Sequence, residues 1–227
     1  MSRILLFCLL YGEMSMNFLR INEAYNSLGI WLTSFGNTYE SHSARSKERS
    51  GELHEIIGAS WSLELQPAFE IFELIRTIDP KGARHRISEL QRLGKVFVGE
   101  ELDLGHAYYT YRRRMLSLNQ IDHVVLNLLE NAGKPDRQSF VSIWHPKDAR
   151  HLGQDEVPCS IGYHFFLRDG VLSMVYFMRS LDLFVWPNDV YLSGRVLDMV
   201  AERIAPVEVG RTTFHVGSLH VFGENKR

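Results

Sequence analysis

Residues 157–182 read VPCSIGYHFFLRDGVLSMVYFMRSLD, and the reading of this stretch decides the fold. Two apolar runs, Ile161 to Leu167 and Leu172 to Met178, flank Arg168-Asp169-Gly170-Val171. An Asp-Gly pair between such runs is a strong hairpin signal, because both residues tolerate the positive φ of a tight turn. The hairpin opens on Val157-Pro158-Cys159 and closes on Met178-Arg179-Ser180-Leu181-Asp182. It therefore brings a thiol, a guanidinium and a hydroxyl to one end. A cysteine taken alone is more often a buried small hydrophobe than a nucleophile. A nearby arginine changes that balance, because it stabilises the thiolate, the form that attacks carbon.

Outward from the hairpin, helices and strands mix without strict alternation. The apolar spacing predicts an opening helix over 17–32, and residues 36–51 read as an exposed polar loop. Ile56 to Leu65 reads as a strand passing through Gly58, and Ala68 to Ile78 as a helix begun by Pro67 and stopped by Asp79-Pro80. Residues 94–105 read as a loop. In the Tyr- and Arg-rich stretch 107–115, Arg112 and Arg114 read as solvated surface charges. Gln120 to Asn131 carries Ile121, Val124, Val125, Leu128 and Leu129 on one helical side. Phe140 to Trp144 reads as a strand, Val190 to Ile204 as a helix and Thr212 to Phe222 as a last strand. The class is α+β.

The 227 residues are 45% hydrophobic and 23% charged, an ordinary globular composition. A net charge of −2 gives no electrostatic case for binding nucleic acid or a membrane, so a small molecule or another protein is the expected partner. Two cysteines, Cys8 and Cys159, argue against a disulfide framework and for a free thiol in a reducing, cytoplasmic setting. No metal site is expected. The apolar run Ile4 to Tyr11 lacks a small-residue cleavage site, and a membrane helix needs about 20 apolar residues. Residues 1–13 are therefore expected to be an apolar extension, ahead of a single domain over 14–227.

Further motifs accompany the hairpin in a fixed order. These are Pro67-Ala68-Phe69 with Glu73, Asp103-Leu104-Gly105-His106-Ala107-Tyr108, Asp136-Arg137-Gln138 with Val141-Ser142-Ile143-Trp144, and Gly217-Ser218-Leu219-His220-Val221-Phe222. With Pro158-Cys159, Asp169-Gly170 and Arg179-Ser180-x-Asp182, the chain resembles the thymidylate synthase family over residues 17 to 224. The resemblance implies a mixed sheet with flanking helices that dimerises through the sheet. It also implies a pyrimidine nucleoside monophosphate as substrate and 5,10-methylenetetrahydrofolate as the one-carbon donor. By the same resemblance Cys159 would add to C6 of the pyrimidine. Glu73 and Tyr108 would manage proton transfers, and Asp182 would help hold the ring or the folate. Arg179 and Ser180 would hold the phosphate with Arg49 and with Arg137, the last donated across a dimer interface. His220 would sit at the sugar.

The chain departs from the family pattern where the base is read. Aligning Pro187 with the family proline puts Asp189 where thymidylate synthases carry Asn, with one residue deleted ahead of it. A carboxyl accepts from cytosine N4–H and, when protonated, donates to N3. Asp189 thus resembles the reader of the deoxycytidylate and cytidylate hydroxymethylases. A slip of one residue would make Asn188 the reader and uracil the base. Phe222 stands for the usual sugar-binding Tyr, and Ser160 follows the cysteine where His is common. The sequence ends at Arg227, where a closing tail is usual, so water is expected to complete a hydroxymethylation. Two alternatives stay open: methylation of dUMP, and a catalytically weak nucleotide-binding relative.

Overall fold

The computed structural model describes residues 16–40, 52–103, 110–151 and 157–223. Arg49, Tyr108 and the 1–13 extension lie outside the described residues. Seven strands form one mixed sheet: β1 Met16–Phe18, β2 Asn37–Glu40, β3 Glu52–Leu63, β4 Phe140–Ser142, β5 Ser160–Arg168, β6 Val171–Asp182 and β7 Glu208–Phe222. Their order is β1-β3-β7-β6-β5-β4, with β2 also on β3. β1 with β3 and β6 with β7 run parallel, and the other pairs are antiparallel. The helices are α1 Ile21–Phe35, α2 Ala68–Ile78, α3 Ala83–Val98, α4 Tyr111–Leu116, α5 Gln120–Glu130 and α6 Trp186–Ile204. The expected α+β architecture of a mixed sheet with flanking helices is what the chain adopts.

The hairpin forms as its turn chemistry dictates. Asp169 and Gly170 take φ of 51° and 78°, and Arg168 pairs with Val171 across a two-residue turn. Inward positions of β5 and β6 alternate as a half-covered sheet requires: Tyr163 and Phe165, then Leu172, Met174, Tyr176 and Met178 are buried. They meet Trp61 and Phe214, whose rings stack at 5.4 Å, and Trp186, which abuts both edge-on.

One irregularity shapes the end of the sheet that carries Cys159. Ile57 pairs with Ser218 and Ala59 with Val216, so Gly58 falls opposite Gly217. Met178 pairs with Val216 and Ser180 with Ser218, so Arg179 falls on the other side of Gly217. All three strands change phase at this row. β6 buries Met178 and next Leu181, β7 buries Val216 and next Leu219, and Ile57 is 68% exposed where alternation from Ala59 would bury it. Gly58 adopts φ 75°, which a side chain rarely tolerates. A Cβ on Gly217 would lie 2.8 Å from the Arg179 carbonyl oxygen. The phase change leaves Ser180 partly open, where regular alternation would bury it.

Several expectations are corrected. The opening helix starts at Ile21, after a strand, because Gln66 ties the entry: Ile21 N donates to its Oε1 at 2.9 Å, and its Nε2 donates to Leu19 O and Glu64 O. Within the expected 36–51 loop, Asn37–Glu40 is a strand, exposed at every position and therefore without an alternating signal. Residues 94–98 belong to α3 rather than to a loop. Gly94 is there because a Cβ would come within 2.7 Å of the Tyr191 ring, and the helix stops at Gly99 with φ 87°. Leu129 is 48% exposed while its four companions are buried. Arg112 and Arg114 are not solvated charges. Arg112 donates to Phe97 O at 2.7 Å, and Arg114 meets the fully buried Asp148 at 2.6 Å.

Candidate active site

Cys159 occupies the residue before β5, half-buried against the core. Arg179 clasps this segment from β6. Its backbone N donates to Cys159 O at 2.8 Å, its Nε to Pro158 O at 2.9 Å and its Nη2 to Val157 O at 3.1 Å. The same Nη2 lies 3.9 Å from Cys159 Sγ. A guanidinium at this range favours a thiolate over a thiol. Arg179 is also exposed, so its cation faces solvent beside the sulfur.

The neighbouring strands add polar groups at the same end. Ser180 pairs in register with Ser218, and Asp182 with His220. Ser218 Oγ donates to Glu55 of β3 and lies 3.4 Å from His220 Nδ1. His220 packs edge-on against Phe222, with centroids 5.5 Å apart. Asp182 Oδ1 accepts from Phe184 N at 3.0 Å, which starts the turn into α6.

Asp189 and Asn188 separate in the first turn of α6. Asn188 Oδ1 accepts from Arg86 Nε at 3.0 Å. The Asp189 carboxyl instead meets the Tyr176 hydroxyl, which is bonded to Ser160 Oγ. Part of the Asp189 residue remains open, yet its carboxyl is the desolvated end. Burial pushes that carboxyl up to about 7, and the Asp182 charge adds to the effect. The Arg86 charge and the Tyr176 hydrogen bond pull the other way. Arg86, from α3, donates Nη2 to Phe184 O at 2.7 Å and lies 4.8 Å above the Phe184 ring. Its Nη1 is buried with no hydrogen-bond partner among the described residues. Burial lowers the Arg86 pKa, opposed by Asp79 first and then by Tyr25, Asp182 and Asp189.

The structure thus joins Cys159 to Arg179 directly, and groups Ser180, Asp182, His220 and Phe222 by strand register. Asp189 joins through Tyr176 and Ser160. Glu73 is not brought to this cluster: its side chain is 65% exposed and pairs with Arg76 on the same helix. Arg137 is exposed near the β4 edge, where its carbonyl meets His164 Nε2 at 3.1 Å. Glu55, Ser218, Arg86, Tyr163 and Tyr176 were not anticipated as site residues. Tyr163 and Tyr176 did carry a signal, two hydroxyls on the inward period of an apolar hairpin. Arg86 carried none. Among the described residues, no group of three or more His, Cys, Asp or Glu is placed to hold a metal ion.

Comparison with known proteins places this geometry. A putative thymidylate synthase of Methanothermobacter thermautotrophicus is 35% identical over 122 residues, covering 52% of each chain. One from Methanothermobacter marburgensis is 32% identical over 157 residues, 67% of each. The thymidylate synthase of Enterobacteria phage T4 is 26% identical over 122 residues, 53% of this chain and 41% of the phage protein. The aligned stretch thus spans about half the length of the first of these relatives. The family model for thymidylate synthase matches residues 19–226, nearly the whole sequence, and the chain belongs to the thymidylate synthase family.

Proposed function

We propose that the chain transfers a one-carbon unit to C5 of a cytosine nucleotide, dCMP or CMP, giving the 5-hydroxymethyl product. The observation that carries this reading is the place of the Asp189 carboxyl beside Tyr176, where burial pushes it up to about 7 against the opposing Tyr176 hydrogen bond. A neutral carboxyl offers one donor and one acceptor, which cytosine N3 and N4–H require. Asn188 is engaged by Arg86, which supports Asp189 rather than its neighbour as the reader. Methylation of dUMP is the second reading, favoured by the names of the relatives.

In this account the Cys159 thiolate adds to C6, and the electron pair moves to C5, which forms the new carbon bond. The C5 proton would then leave as the bond from the new carbon to the folate nitrogen breaks, releasing tetrahydrofolate. Water would add to the exocyclic carbon, losing a proton, and the electron pair returned to the ring would expel the thiolate from C6 to regenerate Cys159. Tyr108 is the proposed proton carrier, with Glu73 joining it only by leaving its pair with Arg76. Arg179, Ser180 and Arg49 grip the phosphate, since an arginine fork matches phosphate oxygens. His220 and Phe222 line the sugar. The family uses 5,10-methylenetetrahydrofolate, which supplies the carbon. Asp182, whose Oδ1 accepts from Phe184 N, would help hold the pyrimidine ring or the folate.

A second copy of the chain is the proposed partner, seated on the sheet face away from the helices. That face carries Phe140, Phe166, Phe177 and His215, with the Phe177 and His215 rings stacked at 5.4 Å. Arg137 would then reach the other copy's phosphate. A cytoplasmic location is proposed with this chemistry; no helix among the described residues is long and apolar enough to cross a membrane. The test is tritium release from C5-labelled dCMP, CMP and dUMP with methylenetetrahydrofolate, followed by product chromatography. Release from a cytosine nucleotide with a hydroxymethyl product is expected. A methyl product would overturn the role of water, and no release from any nucleotide would favour a binding protein.

A further inference from the structure

We propose that Tyr176, backed by Ser160 and Tyr163, is a positioning device for Asp189: a buried hydroxyl chain that engages one carboxyl oxygen and leaves the other to face the base. The proposal rests on the reading of Asp189 as the base-reading group. Ser160, Tyr163 and Tyr176 are 0%, 1% and 3% exposed. Ser160 Oγ bonds the Tyr176 hydroxyl, Tyr163 lies against both, and the Asp189 carboxyl lies beside Tyr176. Tyr163 and Tyr176 are paired in register, their rings 4.6 Å apart.

Their setting makes these hydroxyls informative. The same inward face is filled by Phe165, Leu172, Met174, Met178 and Phe214, so phenylalanine would suit the packing at either tyrosine. A buried hydroxyl left unbonded costs about 1–3 kcal/mol, so polar groups in such a layer occur where they bond something. Here Ser160 and Tyr176 bond one another, and the Asp189 carboxyl lies beside Tyr176. The other end of the hydroxyl chain, Ser160, follows the nucleophile directly, and Cys159 O is fixed by Arg179 N. The base-reading group and the reactive sulfur are thus tied to the same two strands.

The chain also constrains the proton on Asp189. When Asp189 is ionised, the Tyr176 O–H donates to it and Ser160 donates to the phenol oxygen. When Asp189 is neutral, Tyr176 keeps donating to one oxygen, and the carboxyl O–H on the other is directed to N3 of the base. Every facing charge enters this balance. Arg86 approaches from α3 and Asp182 from β6, and Tyr111 of α4 acts on Tyr176. Asp79 and Tyr25 act through Arg86. Arg86 directs Nε and Nη2 to Asn188 and Phe184, so toward Asp189 it acts as a charge while Tyr176 supplies the bond.

The test titrates Asp189 in the free protein by carbon NMR on carboxyl-labelled aspartate, its signal identified by its loss in Asp189→Asn. Tyr176→Phe removes a hydrogen bond that favours the ionised form, so the Asp189 midpoint is expected to rise by about one pH unit. Ser160→Ala should raise it less, because an unsupported phenol is a weaker donor. A midpoint unmoved by Tyr176→Phe, in a protein with native near-UV dichroism, overturns the proposal. If Tyr176→Phe does not fold, Ser160→Ala decides by the same criterion. The cytosine reading fails separately, if Asp189→Asn leaves the dCMP-over-dUMP binding ratio unchanged. The carboxyl titration decides the hydroxyl chain whichever base is bound.

Discussion

The two halves of the site are built on different principles. At the sulfur, one exposed arginine holds three consecutive carbonyls, of Val157, Pro158 and Cys159. At the end proposed to read the base, a carboxyl from α6, two tyrosines, a serine and an arginine from α3 meet in the interior. The first half is local, facing solvent and made largely of main chain. The second is long-range, desolvated and made of side chains. On the proposed reading, reactivity belongs to the first and selectivity to the second, because desolvated polar groups penalise a mismatched partner most.

Substitutions can break this division. Cys159→Ser has the largest expected effect, a loss of about 1000-fold or more in turnover with melting temperature unchanged, since a serine lacks the thiolate. Asp189→Asn is expected to shift preference toward uracil nucleotides by about 10–100-fold while turnover on the preferred base survives. If this variant instead loses turnover on both bases, the two halves are not separate. Arg179→Lys is expected to lower activity by about 10-fold, because one ammonium cannot reproduce the fork that spans these carbonyls and is proposed to grip the phosphate.

Stability sharpens the same contrast. The Asp189 carboxyl is raised in the folded state to about 7, above its usual range. Its contribution is therefore fully present below pH 4 and lost as pH rises through neutrality, with a slope of at most about 1.4 kcal/mol per pH unit. Urea midpoints from pH 4 to 8 for wild type and Asp189→Asn check this, and only the wild type should show that component. The smallest effect is expected at Glu73. Breaking its exposed pair with Arg76 by Glu73→Gln should cost less than about 1 kcal/mol by urea unfolding. An accompanying loss of turnover would show that Glu73 acts in the site.

The local half was legible in the sequence and the long-range half only partly. Asp169-Gly170 specifies its own turn, so the strands beside it, and with them Cys159 and Arg179, followed from neighbours in sequence. Helix α2 was bounded correctly by Pro67 and Asp79-Pro80. Helix α3 was not read from the sequence, where residues 81–93 had no element and 94–105 read as a loop, because Gly94 reads as a breaker until Tyr191, distant in sequence, is packed on it. The same limit hid Arg86. Nothing near residue 86 indicates that the helix will lay it across Phe184 and beside Asn188, about 100 residues onward. Gly58 was placed in its strand, but its alignment with Gly217 and Arg179 depends on registers that only the assembled sheet defines.

The most direct test of Asp189 as the reader of cytosine is the ratio of tritium release from C5-labelled dCMP and dUMP, measured on wild type and Asp189→Asn side by side. The account predicts a ratio favouring dCMP in wild type that inverts in the variant. Release from dUMP alone in wild type, or a ratio unchanged by the substitution, would contradict it.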